Sequence, residues 1–537
     1  MSKEKLIKQE NGSVAVFAIA TVFSLIFILG GVFAVSSTNR KNQLRTLLKI
    51  KEIYSQGIGQ VNQVSLYHEE ADTKGYITDG LTAFYDAINN IGSGHSNNTK
   101  VWKDISGNGN DLEHQGSEDV TWNDSAYDFV TPETNYFETE NAISLGNSSR
   151  TIEIVCSLEE EGVENLLGLG TENAGTLNDV IYYNNGVNIN NYGNQANEGI
   201  SDRALEKGRT YITTITYDST SHTTNYYTNL QGKENVAFQT INTAATTLTV
   251  GKGKDSTHNK NKRFKLQAIR IYNRVLTEEE RITNYTLDKE RYGITLNEND
   301  YASNGLIARF DAIKNVGTTH DNNTGTWKDL SNNNHDATLS NFTGETTSGW
   351  TEDSLVFDGT DDFATIQGLD LSEYKDITIC ATYKVLSMPE NKAPAVVSSS
   401  TDNEGKIYFG YGSQYGANIA NANTYAMNYS VPNTWVYGEP NIVEKDKIKN
   451  VIVTYMGKNA EQYNRVYCNN QMIAENQTTA TTKWSSDTLD IGRAFGGNNT
   501  NHPYANIELY SIQIYNRALT KAEVKLNYEI DKVRFGL

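Results

Sequence analysis

The feature that most constrains this chain is a long internal repeat. The segment YITDGLTAFYDAINNIGSGHSNNTKVWKDIS (Tyr76–Ser106) matches YASNGLIARFDAIKNVGTTHDNNTGTWKDLS (Tyr301–Ser331) without a gap, at an offset of 225 residues. Near the other end of the repeat, Ile269–Ile294 matches Ile512–Leu537 at an offset of 243 residues, so the second copy gains about 18 residues in its middle. A period of this length predicts two copies of one domain rather than a solenoid.

Both copies have the pattern of β-strands. Short apolar or alternating runs, such as TIEIVCSL, TYITTITYD, NVIVTYMG and IELYSIQIY, lie between turns rich in Asn, Gly and Thr. Tyr outnumbers Phe by 32 to 16, and Tyr suits half-buried strand surfaces. The sequence therefore predicts an all-β body built from sandwiches of antiparallel strands.

One short helix is predicted to close each copy. Thr277 with Glu280, and Thr520 with Glu523, have the spacing of a capping box. In that motif the hydroxyl and the carboxylate each satisfy a backbone amide that has no partner inside the helix.

The N-terminus has the pattern of a membrane anchor. Ser13–Val35 contains no charged residue and is long enough to span a bilayer as a helix. Leucines and cations after it predict that the same helix emerges and becomes amphipathic. The predicted order is a basic leader (1–12), a transmembrane and amphipathic helix (13–56) and a linker (57–75).

The motif KQENGSVAVF joins the leader to the apolar segment, so that a short basic leader ends in Gly and a hydrophobic helix follows. In this the leader resembles that of type IV pilin-like proteins, especially the Tad-type pseudopilins. The resemblance implies cleavage between Gly12 and Ser13, an exported body and pilus subunits as partners. Phe17 departs from the family pattern, which has Glu there. The positive-inside rule points the other way, because five cations follow the span.

The second copy contains a series of motifs that characterise one family of sandwiches: TWKDLS, SLVFDGTDDFATI, RVYCNNQMIAEN, LDIGRAF and IYNRALT. By these motifs the body resembles the LamG-like, concanavalin A-like jelly-roll superfamily. In the first copy Ser125–Thr139 has lost the FDG element. The resemblance implies two concanavalin A-like jelly-roll β-sandwiches, at residues 76–294 and 301–537, joined by a linker at 295–300.

The repeated Trp-Lys-Asp loop places side-chain oxygens at alternate positions, as a calcium site requires. The alternative is a hydrogen-bonded Asx-turn beside a buried tryptophan. An acidic cluster at Asp358, Asp361 and Asp362 follows only the second loop, which favours a site there. The candidate calcium ligands are Asp104, Ser106, Asn108 and Asp111, and in the second copy Asp329, Ser331, Asn333 and Asp336.

Charge and motifs narrow the function classes. Residues 1–51 have a net charge of +6, which leaves −25 for the remainder, so nucleic-acid binding is not expected. No catalytic carboxylate pair, Ser/His/Asp grouping or phosphate-binding loop is evident, so an enzyme is not expected. Tyr411, Tyr415 and Trp435 are predicted to stack on sugar rings.

The sequence thus predicts a single-pass bacterial surface protein whose extracellular domains bind carbohydrate or another surface ligand. The alternatives are a structural spacer of a surface or pilus assembly, and a glycoside hydrolase of the same superfamily. Three cysteines are too few for a disulfide scaffold, although a bridge between Cys380 and Cys468 stays open. Cys156 and Cys380 are predicted to occupy matching strand positions.

Overall fold

The computed structural model describes residues 75–537. The description omits positions 133, 161, 172–176, 184–185, 191–204, 239, 255–261, 404, 413–423, 431–432, 457–462, 478–483, 486–487 and 498–500. The predicted leader cleavage between Gly12 and Ser13 and the predicted Ser13–Val35 helix lie outside these residues. Among the described residues, no helix is long and apolar enough to cross a membrane.

The described chain is mainly β-structure with two α-helices. The first copy comprises β1 (Leu81–Asp86), β2 (Val101–Trp102), β3 (Leu112–Gln115), β4 (Trp122–Asn123), β5 (Ala126–Phe129), β6 (Tyr136–Ile143), β7 (Arg150–Leu158), β8 (Val163–Gly170), β9 (Leu177–Tyr183), β10 (Gly186–Asn190), β11 (Thr210–Asp218), β12 (Thr223–Thr228), β13 (Gln231–Ala237), β14 (Thr246–Val250), β15 (Phe264–Tyr272) and α1 (Glu278–Arg291). The second comprises β16 (Leu306–Asp311), β17 (Thr326–Trp327), β18 (Ala337–Ser340), β19 (Gly349–Trp350), β20 (Leu355–Asp358), β21 (Phe363–Ile366), β22 (Ile377–Val385), β23 (Ala395–Ser399), β24 (Ile407–Gly412), β25 (Thr424–Ser430), β26 (Asn433–Tyr437), β27 (Ile448–Tyr455), β28 (Tyr463–Cys468), β29 (Gln471–Gln477), β30 (Leu489–Ile491), β31 (Asn506–Tyr515) and α2 (Lys521–Phe535).

The strands form four antiparallel sheets, two in each copy. The helix-side sheet has the order β13-β12-β11-β7-β15-β5-β4 in the first copy and β29-β28-β27-β22-β31-β20-β19 in the second, with β1 and β16 paired to β15 and β31. The far sheet has the order β10-β9-β8-β14-β6-β3-β2 in the first copy and β26-β25-β24-β23-β30-β21-β18-β17 in the second. The two orders correspond strand by strand. Only β26 has no counterpart among the strands described in the first copy.

Each pair of sheets encloses its own apolar core. One core draws its buried residues from 83–271 and the other from 307–514. Trp102 and Trp327, from the repeated loop, are fully buried at matching places in the two cores. The prediction that these tryptophans are core residues is confirmed, as is that of a mainly β sandwich structure.

The two helices begin where the capping boxes predicted. Thr277 caps α1 and Thr520 caps α2, and each hydroxyl accepts a hydrogen bond from the backbone amide of the glutamate three residues later. Both glutamate side chains return the bond to the amide of the threonine. Each helix then packs on the outer face of its helix-side sheet.

The two sandwiches belong to one compact unit, residues 69–537, and contact each other. The short connection between them is held by the first sandwich. Arg209 is ion-paired with the fully buried Asp300. The Gln231 amide donates to the Asp300 carbonyl over 3.0 Å, and its oxygen accepts from the Ser303 amide over 3.1 Å.

The two helices also lie side by side and run in the same direction. Lys521 in the first turn of α2 pairs with Glu279 in the first turn of α1, at 2.7 Å. Near the other ends, Lys289 of α1 pairs with Glu529 of α2, at 2.6 Å. The segment predicted as a linker, residues 295–300, is therefore part of an interface between the two sandwiches.

Candidate functional site

The repeated loop is closed by hydrogen bonds to its first aspartate. In the first copy one Asp104 oxygen accepts from the backbone amides of Phe84 and Ser106, over 3.0 and 2.9 Å, and the other from Asn110 over 3.0 Å. In the second copy Asp329 makes the equivalent bonds. Its partners are the amides of Arg309, Ser331 and His335, at 2.9, 2.8 and 3.0 Å, and the Ser331 hydroxyl at 2.8 Å.

The carboxylate of the second aspartate in each loop also has partners within the protein. Asp111 accepts from the Asp104 amide over 2.9 Å, and Asp336 accepts from the Asp329 amide over 3.0 Å. The other oxygen of each is ion-paired with the lysine of the Trp-Lys-Asp motif. Ammonium and amide hydrogens therefore surround the carboxylates.

The asparagine side chains of the loop bind the neighbouring strand rather than an ion. The Asn108 amide nitrogen donates to the carbonyls of Leu81 and Thr82, over 2.9 and 3.1 Å. Asn333 donates in the same way to the first strand of the second copy. These donors do not fit a calcium site, which needs oxygen lone pairs directed at the ion. The geometry favours the Asx-turn, which fastens the loop to the edge of the sandwich.

An acidic group lies elsewhere on the second sandwich. Asp358, Asp361 and Asp362 each offer a carboxylate oxygen within 4.8 Å of the others. Asp362 is fully buried and accepts from the Ser348 hydroxyl over 3.0 Å and the Asp358 amide over 2.9 Å. Burial raises the pKa of Asp362 to about 6. This triad is the group of described side chains with the spacing of metal ligands.

The three aromatic residues predicted to bind sugar do not lie together. Tyr411 is fully buried among the core residues of the second sandwich, so its prediction as a sugar-stacking surface residue is wrong. Tyr415 lies outside the described residues. Trp435, on β26, is partly exposed on the opposite face of the far sheet. Alternation along β24 and β26 explains the separation, because successive side chains point to opposite faces.

Trp435 belongs instead to a cluster of rings that we call the aromatic shelf: Tyr408, Trp435, Tyr437, Phe495 and His502. The indole of Trp435 lies parallel to the ring of Tyr437, with centroids 5.7 Å apart and 8° between planes. It also lies parallel to the imidazole of His502, at 6.0 Å and 7°. Tyr408 packs beneath Trp435 at 5.0 Å and is fully buried.

Hydrogen bonds fix the buried rings of the shelf. The Tyr408 hydroxyl lies 3.0 and 2.9 Å from the carbonyls of Ala393 and Pro394. Nδ1 of His502 lies 2.8 Å from the Ala393 carbonyl. Because a carbonyl can only accept, Nδ1 carries the hydrogen. Burial lowers the pKa of His502, which favours the neutral ring with Nε2 as an acceptor.

Two rings of the shelf lie on a strand that has no described counterpart in the first copy. Trp435 and Tyr437 are carried by β26, the additional edge strand of the far sheet. The run TWVYG has the i, i+2 spacing that places both rings on one face, and this signal could have replaced Tyr411 as the basis of the prediction. Phe495 and His502 come from a distant segment, and nothing in the sequence pattern links them to β26.

A buried carboxylate on the long strand β7 is committed to structure rather than available for acid–base chemistry. Glu153, on β7, is fully buried beneath α1 and its Oε2 accepts from Arg270 Nε over 2.8 Å. Asn284 donates to the same oxygen over 2.7 Å. The three cysteines are buried and free, so Cys380 and Cys468 form no disulfide.

Comparison with known proteins agrees with this fold. Residues 358–525 match the family model of the concanavalin A-like lectin/glucanases superfamily. A domain of that superfamily is therefore present in the second sandwich. No curated protein matches the sequence.

Several solved structures are similar at low identity. A Trypanosoma rangeli sialidase mutant displaying trans-sialidase activity is 12% identical, with 68% of this chain and 49% of that chain covered and a TM-score of 0.32. Domain 4 of AbnA, a GH43 extracellular arabinanase from Geobacillus stearothermophilus in complex with arabinotriose, is 11% identical, with 41% and 96% covered and a TM-score of 0.28. A heptameric SAP-like pentraxin from Limulus polyphemus is 18% identical, with 28% and 69% covered and a TM-score of 0.22. This chain spans about half to three fifths of the sialidases it matches.

Proposed function

We propose that the chain is a membrane-anchored extracellular adhesion protein that binds carbohydrate without catalysis through the aromatic shelf of its second sandwich. The observation that carries the proposal is the parallel arrangement of Trp435, Tyr437 and His502 on the outer face of the far sheet. The concanavalin A-like lectin/glucanase domain at residues 358–525 supports it. The uncharged Ser13–Val35 segment supports the anchor.

The chemistry of the shelf suits a sugar ring. A pyranose has a face of C–H groups that can lie flat on an aromatic ring, and a rim of hydroxyls that need hydrogen-bond partners. Trp435 and Tyr437 provide partly exposed aromatic surface, and Nε2 of His502 provides an acceptor beside Trp435. Since Tyr408 and Ala393 hold the rings in place, little rotamer freedom is lost on binding.

A glycan array with the full-length chain tests the proposal. Wild type should bind at least one class of glycan, and Trp435→Ala should lower its affinity at least tenfold, about 1.4 kcal/mol. Tyr463→Ala is the matched control, because Tyr463 is a partly exposed ring on the helix-side sheet of the same sandwich. It should leave binding unchanged.

Two results would overturn the proposal. If no glycan binds, the structural-spacer alternative gains support. If glycans bind equally well to wild type and Trp435→Ala, the shelf is not the binding site. Release of reducing sugar from any bound glycan would contradict the absence of catalysis and favour the glycoside hydrolase alternative.

A further inference from the structure

A lysine lies at the edge of the aromatic shelf. Lys406 immediately precedes β24 and stands two residues before Tyr408, so the two side chains share a face of the sheet. Its Nζ lies 4.7 Å from the centroid of the Phe495 ring, and Phe495 lies 5.7 Å from His502. The ammonium group therefore adjoins the same continuous surface of rings as Trp435.

The partner of this lysine is easily displaced. Lys406 is ion-paired with Asp402, whose side chain is 67% exposed, whereas the lysine side chain is 15% exposed. An ion pair with one well-exposed member contributes little free energy. Burial also lowers the pKa of Lys406, and an additional anion close to the ammonium group would favour its charged form.

We infer that the shelf binds a carboxylated saccharide, whose carboxylate replaces Asp402 as the partner of Lys406. This inference rests on the proposed function and narrows its ligand class. Trp435 neighbours His502, His502 neighbours Phe495, and Phe495 neighbours the Lys406 ammonium group, so a saccharide that extends along the shelf from Trp435 reaches this charge. A uronic acid carries its charge on a carbon at the rim of the ring, so a saccharide that contains one can contact Trp435 and present its carboxylate to Lys406.

Because the body is negatively charged, binding of an acidic glycan should depend on Lys406. Residues after position 51 have a net charge of −25, which repels an acidic glycan at long range. Binding of an anion therefore depends on a local cation that is partly shielded from solvent. At higher ionic strength this repulsion is screened more strongly than the partly buried pair with Lys406.

The test uses an array of carboxylated glycans, each printed beside its methyl ester, with the full-length chain. The ester keeps the ring and the hydroxyls but removes the charge. Wild type should bind the acids at least tenfold more tightly than the esters. Lys406→Gln should reduce the affinity for the acids to the affinity for the esters. Lys406→Arg should retain most of the preference for the acids.

Asp402→Asn gives an effect in the opposite direction. It removes the internal competitor for the Lys406 ammonium, so affinity for the acids should rise about twofold to tenfold while affinity for the esters stays the same. Loss of folding does not produce such a gain, so this variant separates a binding role from a structural one.

Failure of the inference can be told from failure of the proposed function. If Trp435→Ala weakens glycan binding but acids and esters bind equally, the shelf binds sugars and the inference is wrong. An acid preference that survives Lys406→Gln also overturns it. If no glycan binds in a way that depends on Trp435, the proposed function itself is wrong.

Discussion

Arg270 in the first sandwich and Gln513 in the second occupy the same place in the repeated Ile-X-Ile-Tyr motif, but only Arg270 is charged. Arg270 is fully buried and bridges Glu153 and Asp288 beneath α1. In the second sandwich the place of Glu153 is taken by Cys380. The buried Asp531 there accepts hydrogen bonds instead, from Tyr301, Thr382, Asn450 and Ser511.

We expect Arg270→Gln to destabilise the protein by about 3–5 kcal/mol, because two buried carboxylates lose their cation. Adding Glu153→Cys should recover part of this loss, since it removes one of the two. Full recovery is not expected, because Asp288 would keep the bond from the Tyr76 hydroxyl, whereas Asp531 accepts from four side chains. Urea denaturation of the single and double variants measures the coupling. Equal stability of Arg270→Gln and of the double variant would contradict a coupling between Arg270 and Glu153.

Asp362 predicts a dependence of stability on pH. Its pKa in the folded protein is about 6, above the ordinary aspartate value of about 3.9. The folded state thus binds the proton more tightly, so this stabilisation is present below about pH 4 and is lost as the pH rises through about 6. We expect a loss of about 1–3 kcal/mol over that range, measured as the difference between wild type and Asp362→Asn. If the stability of wild type and that of Asp362→Asn change with pH in parallel, Asp362 is not the source of this pH dependence.

The hydrogen-bonded loop predicts how Asp329→Ala behaves with calcium. The substitution leaves the amides of Arg309, Ser331 and His335 without their acceptor, and should cost about 2–4 kcal/mol. We expect the same loss of melting temperature in calcium and in chelator. Asp361→Ala is the comparison variant, because Asp361 belongs to the acidic triad. A calcium response of wild type that disappears in Asp329→Ala would restore the loop as a metal site.

The interface predicts that the two sandwiches unfold together. In Arg209→Met the buried Asp300 loses its cation, which should cost about 1–2 kcal/mol because Arg209 is 14% exposed. Calorimetry should show one transition in wild type and two in Arg209→Met. Lys449→Met is the control and should keep one transition, because it removes a similarly buried lysine whose partner, Glu444, is 56% exposed and lies in the same sandwich. Two transitions in wild type would show that the interface does not couple the sandwiches.

The orientation of the chain is predicted from its leader. If the body is exported, protease added to intact cells should remove residues 76–537, and the N-terminus of the mature chain should be Ser13. Complete protection of the body would show that the positive-inside rule decides the orientation. An N-terminus that still includes residues 1–12 would show that the leader is retained.

The sandwich, the helix caps and the duplicated architecture could be predicted because each depends on local periodicity or on repeated letters. The prediction that Cys156 and Cys380 occupy matching strand positions is wrong, because it rests on similar letters rather than on the register of the strands. Thr151 and Thr378 are the equivalent positions, since each hydroxyl donates to the carbonyl of the arginine in the Tyr-Asn-Arg motif. This register places Cys156 in the core and Cys380 beneath α2.

The candidate site could be predicted only in part. The sequence predicts both Trp435 and Tyr411 as sugar-binding residues, but Tyr411 points to the opposite face of the sheet and is buried. His502 and Phe495 reach the shelf through the order of strands in the far sheet, which no local pattern encodes. The roles of Asp104 and Asp329 were ambiguous for a similar reason, because alternate oxygens serve equally well as metal ligands and as acceptors for backbone amides.

The connection between the sandwiches has a mechanical consequence. Arg209 and Gln231 hold the connection at Asp300 and Ser303, and two ion pairs join α1 and α2. We therefore expect tension applied to the second sandwich to reach the first through several contacts loaded together. A load at the shelf should be transmitted without first extending the connection as a hinge.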